Sequence, residues 1–136
     1  MKLMRTLLPA ILLVAGCAST STPAGTAPEP ANLVLYVSNQ SFADDPVSIR
    51  VELAGRVVVD GSFRVESQHT WIEHELAVPV GTHQVRVSSD TGVESTYELV
   101  VPRGQTRWAV VEYWYYPQDT PRSFTFRVSD EPVGFE

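Results

Sequence analysis

Few side chains in this sequence are of types that do chemistry, and their spacing decides which chemistry is open to them. There are three histidines and one cysteine. In Trp71-Ile72-Glu73-His74-Glu75-Leu76, His74-Glu75 opens the H-E-x-x-H pattern, which sets two imidazoles on one helical face around zinc. Val78 stands where the second histidine is needed, and the segment alternates as a strand does. His69 and His74 are an odd number of positions apart, so on a regular strand they point to opposite faces. His83 lies beyond a turn, and we expect it at a strand start, hydrogen-bonded to the corner. No metal site is expected from the three.

Asp90-Thr91-Gly92 is the triplet of aspartic proteases, which pair two copies so that two carboxylates share a proton. Here there is one copy with polar neighbours, and a hairpin turn explains it without catalysis. No G-x-S-x-G elbow and no glycine-rich loop followed by Lys-Ser or Lys-Thr occurs. Asn39-Gln40-Ser41 has the form of a glycosylation sequon, which we take as chance. Asp44-Asp45 before Pro46 could touch calcium, but two adjacent carboxylates are too few for a site. No catalytic residue and no cofactor is expected.

The most unusual stretch is Arg107 to Pro117, RWAVVEYWYYP. On a regular strand Trp108, Val110, Glu112, Trp114 and Tyr116 share one face, and Arg107, Ala109, Val111, Tyr113 and Tyr115 the other. One set must be core. The other lies under a loop, pairs across strands, or forms an exposed platform. Tyr113, Trp114, Tyr115 and Tyr116 are therefore the candidate binding surface, since Trp and Tyr bury area at low entropic cost. Trp71 reads as core.

The elements that must position these residues alternate with a period of two. Val47, Ile49, Val51 and Leu53 face one way, with Ser48, Arg50 and Glu52 between them. Val85 and Val87, then Tyr97, Leu99 and Val101, then Phe124, Phe126 and Val128 repeat the pattern. Turn signals fall at Ala54-Gly55, Pro79 to Gly81, Asp90 to Gly92, Pro102 to Gly104 and Pro117 to Pro121, with a turn or bulge at Asp60-Gly61. No helical apolar stripe interrupts them. Residues 32–136 are thus expected to form one all-β domain, an antiparallel two-sheet sandwich of about eight strands. Roughly 100 residues suffice for one core, and a single cysteine leaves no intrachain disulfide to help it.

Ahead of that domain, Met1 to Thr6 is basic and Leu7 to Gly16 apolar, the two parts of a secretory signal. The apolar run is about half the ~20 residues a membrane-spanning helix needs. It ends in Val14-Ala15-Gly16-Cys17, which resembles the lipobox of bacterial lipoproteins. That resemblance implies a signal peptide over 1–16, cleavage between Gly16 and Cys17, and acyl chains on Cys17. At roughly 0.8 kcal/mol per buried CH₂, two or three chains would hold the protein on a membrane. Ala18, in place of Asp, resembles lipoproteins sent to the outer membrane where a host has two. Residues 17–31 are rich in Ala, Ser, Thr and Pro and read as a disordered linker. Extended, its roughly 14 residues reach up to ~40 Å.

Pro79 to Val87, PVGTHQVRV, resembles the G-x-H-x-V-x-V phrase of bacterial immunoglobulin-like and PEGA-like modules, which implies an immunoglobulin-like sandwich of no assigned activity. The net charge is −6; loss of Lys2 and Arg5 with the leader leaves 8 basic against 16 acidic residues, a net of −8. Such a surface suits neither nucleic acid nor anionic lipid. The expectation is a lipid-anchored, extracytoplasmic module of binding or structural interaction at the cell envelope, without catalysis, its edge strands or aromatic strand meeting another envelope component. The alternative is a glycan-binding module using coplanar rings near residues 113–116. A small hydrolase or metal-binding protein is a third class, and it needs a convergent polar pocket that the sequence does not announce.

Overall fold

The structure, a computed structural model, describes residues 27–66 and 70–134. The leader, Gly16, Cys17 and most of the linker lie outside the described residues, as does His69. Residues 27–31 are exposed and without regular structure.

Eight strands follow: β1 Leu33–Asn39, β2 Val47–Leu53, β3 Arg56–Phe63, β4 Ile72–Leu76, β5 Gly81–Ser89, β6 Glu94–Val101, β7 Arg107–Tyr116 and β8 Thr120–Ser129. They form two four-stranded sheets, β4-β1-β7-β8 and β3-β2-β5-β6, packed as a sandwich. The alternation read from the sequence is the reason. Leu33, Leu35 and Val37, Val47 to Leu53 at every second residue, and Val85, Val87, Leu99 and Val101 meet in one core.

Three details depart from the sequence reading. The sandwich is not wholly antiparallel: β1 and β7 run parallel, Leu33 opposite Arg107 through Asn39 opposite Tyr113. Asp60 and Gly61 lie inside β3, and the bulge falls at Val58, because Val51 pairs with Val59 while Glu52 pairs with Val57. Trp71 is outside the core. Its ring centroid stands 5.6 Å from that of Tyr36, which projects from the outer face of the first sheet. The β2–β3 turn is the two-residue Ala54-Gly55, both with positive φ (51° and 73°), the geometry that a tight hairpin twist demands.

Registers divide the sandwich into two ends. Asn32, the β2–β3 turn and the β4–β5 and β6–β7 connections share one end. The β1–β2, β3–β4, β5–β6 and β7–β8 connections share the other. At the first end Asn32 mimics a strand pair: its Nδ2 donates to Val78 O and its Oδ1 accepts from Val78 N, both at 2.8 Å. Val78 is buried, so neither backbone group has water to fall back on. Replacing Asn32→Ala should cost about 2 kcal/mol in urea unfolding, whereas Arg103→Ala in an exposed turn should shift it by under about 0.5 kcal/mol.

Candidate functional site

The end opposite Asn32 is where polar side chains converge. Asn39, Gln40 and Ser41 leave β1 in a turn built by their own side chains. Asn39 Oδ1 accepts from Ser41 N at 2.8 Å, and Ser41 Oγ accepts from Ala43 N and Asp44 N at 3.3 and 3.0 Å. Short polar side chains compete well for backbone groups in this way. Ser41 Oγ also donates to Tyr115 O at 2.9 Å, tying the loop to β7. Asp45 Oδ1 accepts from Val65 N at 3.0 Å, tying it to the segment after β3.

Asp44 is the hub. Tyr113 Oη donates to Asp44 Oδ2 at 2.7 Å. Arg122, on β8, forks onto both carboxylate oxygens, Nε to Oδ2 at 2.7 Å and Nη2 to Oδ1 at 3.1 Å. The same guanidinium lies 4.1 Å above the Tyr115 ring, a cation held by a carboxylate and an aromatic face together. Because Tyr113 spends its proton on Asp44, Thr91 Oγ1 at 3.0 Å must donate to Tyr113 Oη. Ser89 Oγ, 2.6 Å from Thr91 Oγ1, then donates to Thr91. One directed chain therefore links the β5–β6 turn to the β1–β2 loop.

The Arg122 fork holds the Asp44 carboxyl below its usual range, against the opposing effect of burial. Burial, and then the neighbouring Asp44, push the Tyr113 phenol up. Asp44 raises Arg122 further. Each shift moves the pKa of its group farther from pH 7, so none is poised to exchange a proton there. Chemically this arrangement fixes geometry. What it holds out is Phe42, the most exposed large apolar side chain among the described residues at 62%.

The four aromatics singled out in the sequence do not form one surface. Tyr113 is fully buried in the core, edge-on to Phe124 at 5.4 Å, and Tyr115 packs half-buried against the same core beneath Arg122. Trp114 and Tyr116 face out from the first sheet with Trp108. Their centroids are 6.3 Å apart and their planes tilted by 45°; Tyr36 and Trp71 are tilted by 42°. Neither pair presents the two coplanar rings that the glycan-binding alternative expects.

Instead this outer face is a second packed layer. Val110, Ser38, Gln40 and Glu112 lie on it, yet each is buried. Gln40 Nε2 donates to Ser38 Oγ at 2.9 Å. Glu112 accepts from Thr125 Oγ1 at 3.2 Å and lies 3.7 Å from Arg127, while the Trp114 indole donates to Thr125 Oγ1 at 3.2 Å.

The remaining candidates sit in ordinary places. Asp90 and Thr91 form the β5–β6 turn, and Asp90 Oδ1 accepts from Ser48 N at 3.0 Å. His83 opens β5, its Nε2 2.6 Å from Pro79 O, at the corner as expected. His74 faces inward from β4, and its Nε2 is buried without a hydrogen-bond partner among the described residues. Among those residues no three His, Cys, Asp or Glu are grouped to hold a metal ion. The sequence reading missed Phe42 and Arg122. Arg122 is 78 positions from Asp44, and nothing local signals the pair.

Compared with family models, with curated proteins and with solved structures, the chain gives no match in any of the three.

Two steps should appear in stability against pH. Burial lowers the His74 imidazole below its ordinary 6.5, so the unfolded chain takes that proton first. Its contribution is full above 6.5 and is lost as pH falls through the lower folded value. Asp44 contributes fully above its ordinary 3.8 and loses that contribution as pH falls through its lower folded value. Thermal unfolding from pH 8 to 2 should show both declines, with His74→Leu removing the first and Asp44→Asn the second.

Proposed function

We propose that this chain is a lipid-anchored envelope module that binds a partner protein without catalysis, presenting the loop end of its sandwich. The observation that supports it most is the division of the domain into two ends. The chain comes in at Asn32, and the loop with Phe42 at its tip is braced at the opposite end by Asp44, Tyr113 and Arg122. An anchor at Cys17 would leave that end farthest from the lipid. A rigid exposed aromatic loses little entropy on docking, which makes it an efficient anchor.

The test has two arms. Intact mass and fractionation of the native protein should give an acylated chain starting at Cys17 in the membrane, and Cys17→Ser should release it. A photo-crosslinking residue at position 42 should yield a discrete protein adduct in intact cells, and one at position 103, at the Asn32 end, should not. A Cys17→Ser chain still bound to membrane, or equal crosslinking from 42 and 103, contradicts the proposal.

A further inference from the structure

The sandwich has four edge strands: β4, β8, β3 and β6. An edge is a row of unpaired backbone donors and acceptors that natural sheets blunt. β3 is blunted by the bulge at Val58. β8 carries Pro121 near its start, and Tyr97 Oη from β6 donates to Phe124 O of β8 at 2.8 Å. Tyr97 also stacks on Phe126 with centroids 5.0 Å apart, so β6 and β8 lie against each other and close that side.

β4 has neither bulge nor proline, and its register with β1 runs unbroken from Ile72 to Leu76. Its side chains alternate. Glu73 and Glu75 project on the outer face opposite Tyr36 and Val34. On the inner side Ile72 is 46% exposed. A cleft of about 310 Å³, lined by Val37, Phe63, Arg64, Glu66, Thr70 and Ile72 among others, opens beside it.

A second copy of this chain is a poor occupant of that edge. Antiparallel pairing of two β4 strands about His74 would set Glu73 of one copy opposite Glu75 of the other. Like charges directly opposite on one face destabilise a strand pair. The same two carboxylates favour the opposite sign. We propose that the β4 edge docks an extended protein segment of alternating cationic and aliphatic side chains, added as a fifth strand beside β4. Main-chain hydrogen bonds hold the segment. Its lysines or arginines face Glu73 and Glu75, and its aliphatic side chains meet Ile72 and the cleft. This surface is separate from the Phe42 loop and stands or falls independently of it.

The experiment uses the full chain in detergent and two synthetic ten-residue peptides, one alternating Lys and Val, the other Glu and Val. The Lys/Val peptide should slow amide hydrogen exchange across residues 72–76, and the Glu/Val peptide should not. Glu73→Lys with Glu75→Lys should weaken the Lys/Val peptide by about tenfold and let the Glu/Val peptide bind. Glu75→Lys alone, which leaves Glu73 beside Tyr36 in place, should weaken the Lys/Val peptide several-fold. Unchanged exchange at 72–76, equal effects of the two peptides, or protection that grows with protein concentration alone overturns the proposal. So does protection that the charge-reversed variants leave untouched.

Discussion

The carboxylate of Asp44 is the point on which the loop end of this sandwich depends. A charge that is 13% exposed cannot rely on water, so it must be paired and hydrogen-bonded where it stands. Arg122 and Tyr113 do this from β8 and β7, and Thr91 extends the chain to the β5–β6 turn. The loop after β1 thus has one position set by charge and direction, where apolar contact alone would allow several. Removing any partner leaves another polar group unpaired, which is why the cluster acts as a unit. Phe42, two residues before Asp44, is carried by the loop that this cluster holds.

A second constraint explains the unusual composition of β7. The strand is central in its sheet, paired with β1 on one side and β8 on the other, and both of its faces are covered. Its inward residues fill the common core. Its outward residues, with Tyr36 and Trp71, make a separate layer in which Val110, Ser38, Gln40 and Glu112 are buried. All three tryptophans of the chain, Trp71, Trp108 and Trp114, lie outside the main core. Trp71 is tilted by 42° to Tyr36 and Trp114 by 45° to Tyr116, so these two pairs cover the sheet without making a flat face.

Much of the fold was legible in the sequence, for a physical reason. Alternation at Val47 to Leu53 and Phe124 to Val128, with punctuation at Ala54-Gly55 and Asp90-Thr91-Gly92, is local information about strands and turns. Eight strands in two sheets follow from it. The parallel β1–β7 pair did not, because parallel pairing joins segments far apart in the chain and leaves no local mark. Trp71 was misplaced because a large apolar residue reads as core whichever face of a sheet it covers. The candidate site was legible only in pieces. Asp44 looked like half a calcium loop and Tyr113 like a surface ring; their bond spans 69 positions, a distance no spacing rule reaches.

Amide hydrogen exchange over residues 40–46 tests most directly whether Asp44 holds the distal loop rigid. In the native chain Gln40, Ser41, Ala43 and Asp44 donate their backbone N–H groups to Tyr113 O, Asn39 Oδ1 and Ser41 Oγ. These amides should exchange far more slowly than free chain, and Asp44→Asn should accelerate them while β2 and β5 stay protected. Exchange at free-chain rates in the native protein, or protection unchanged by Asp44→Asn, would contradict the claim.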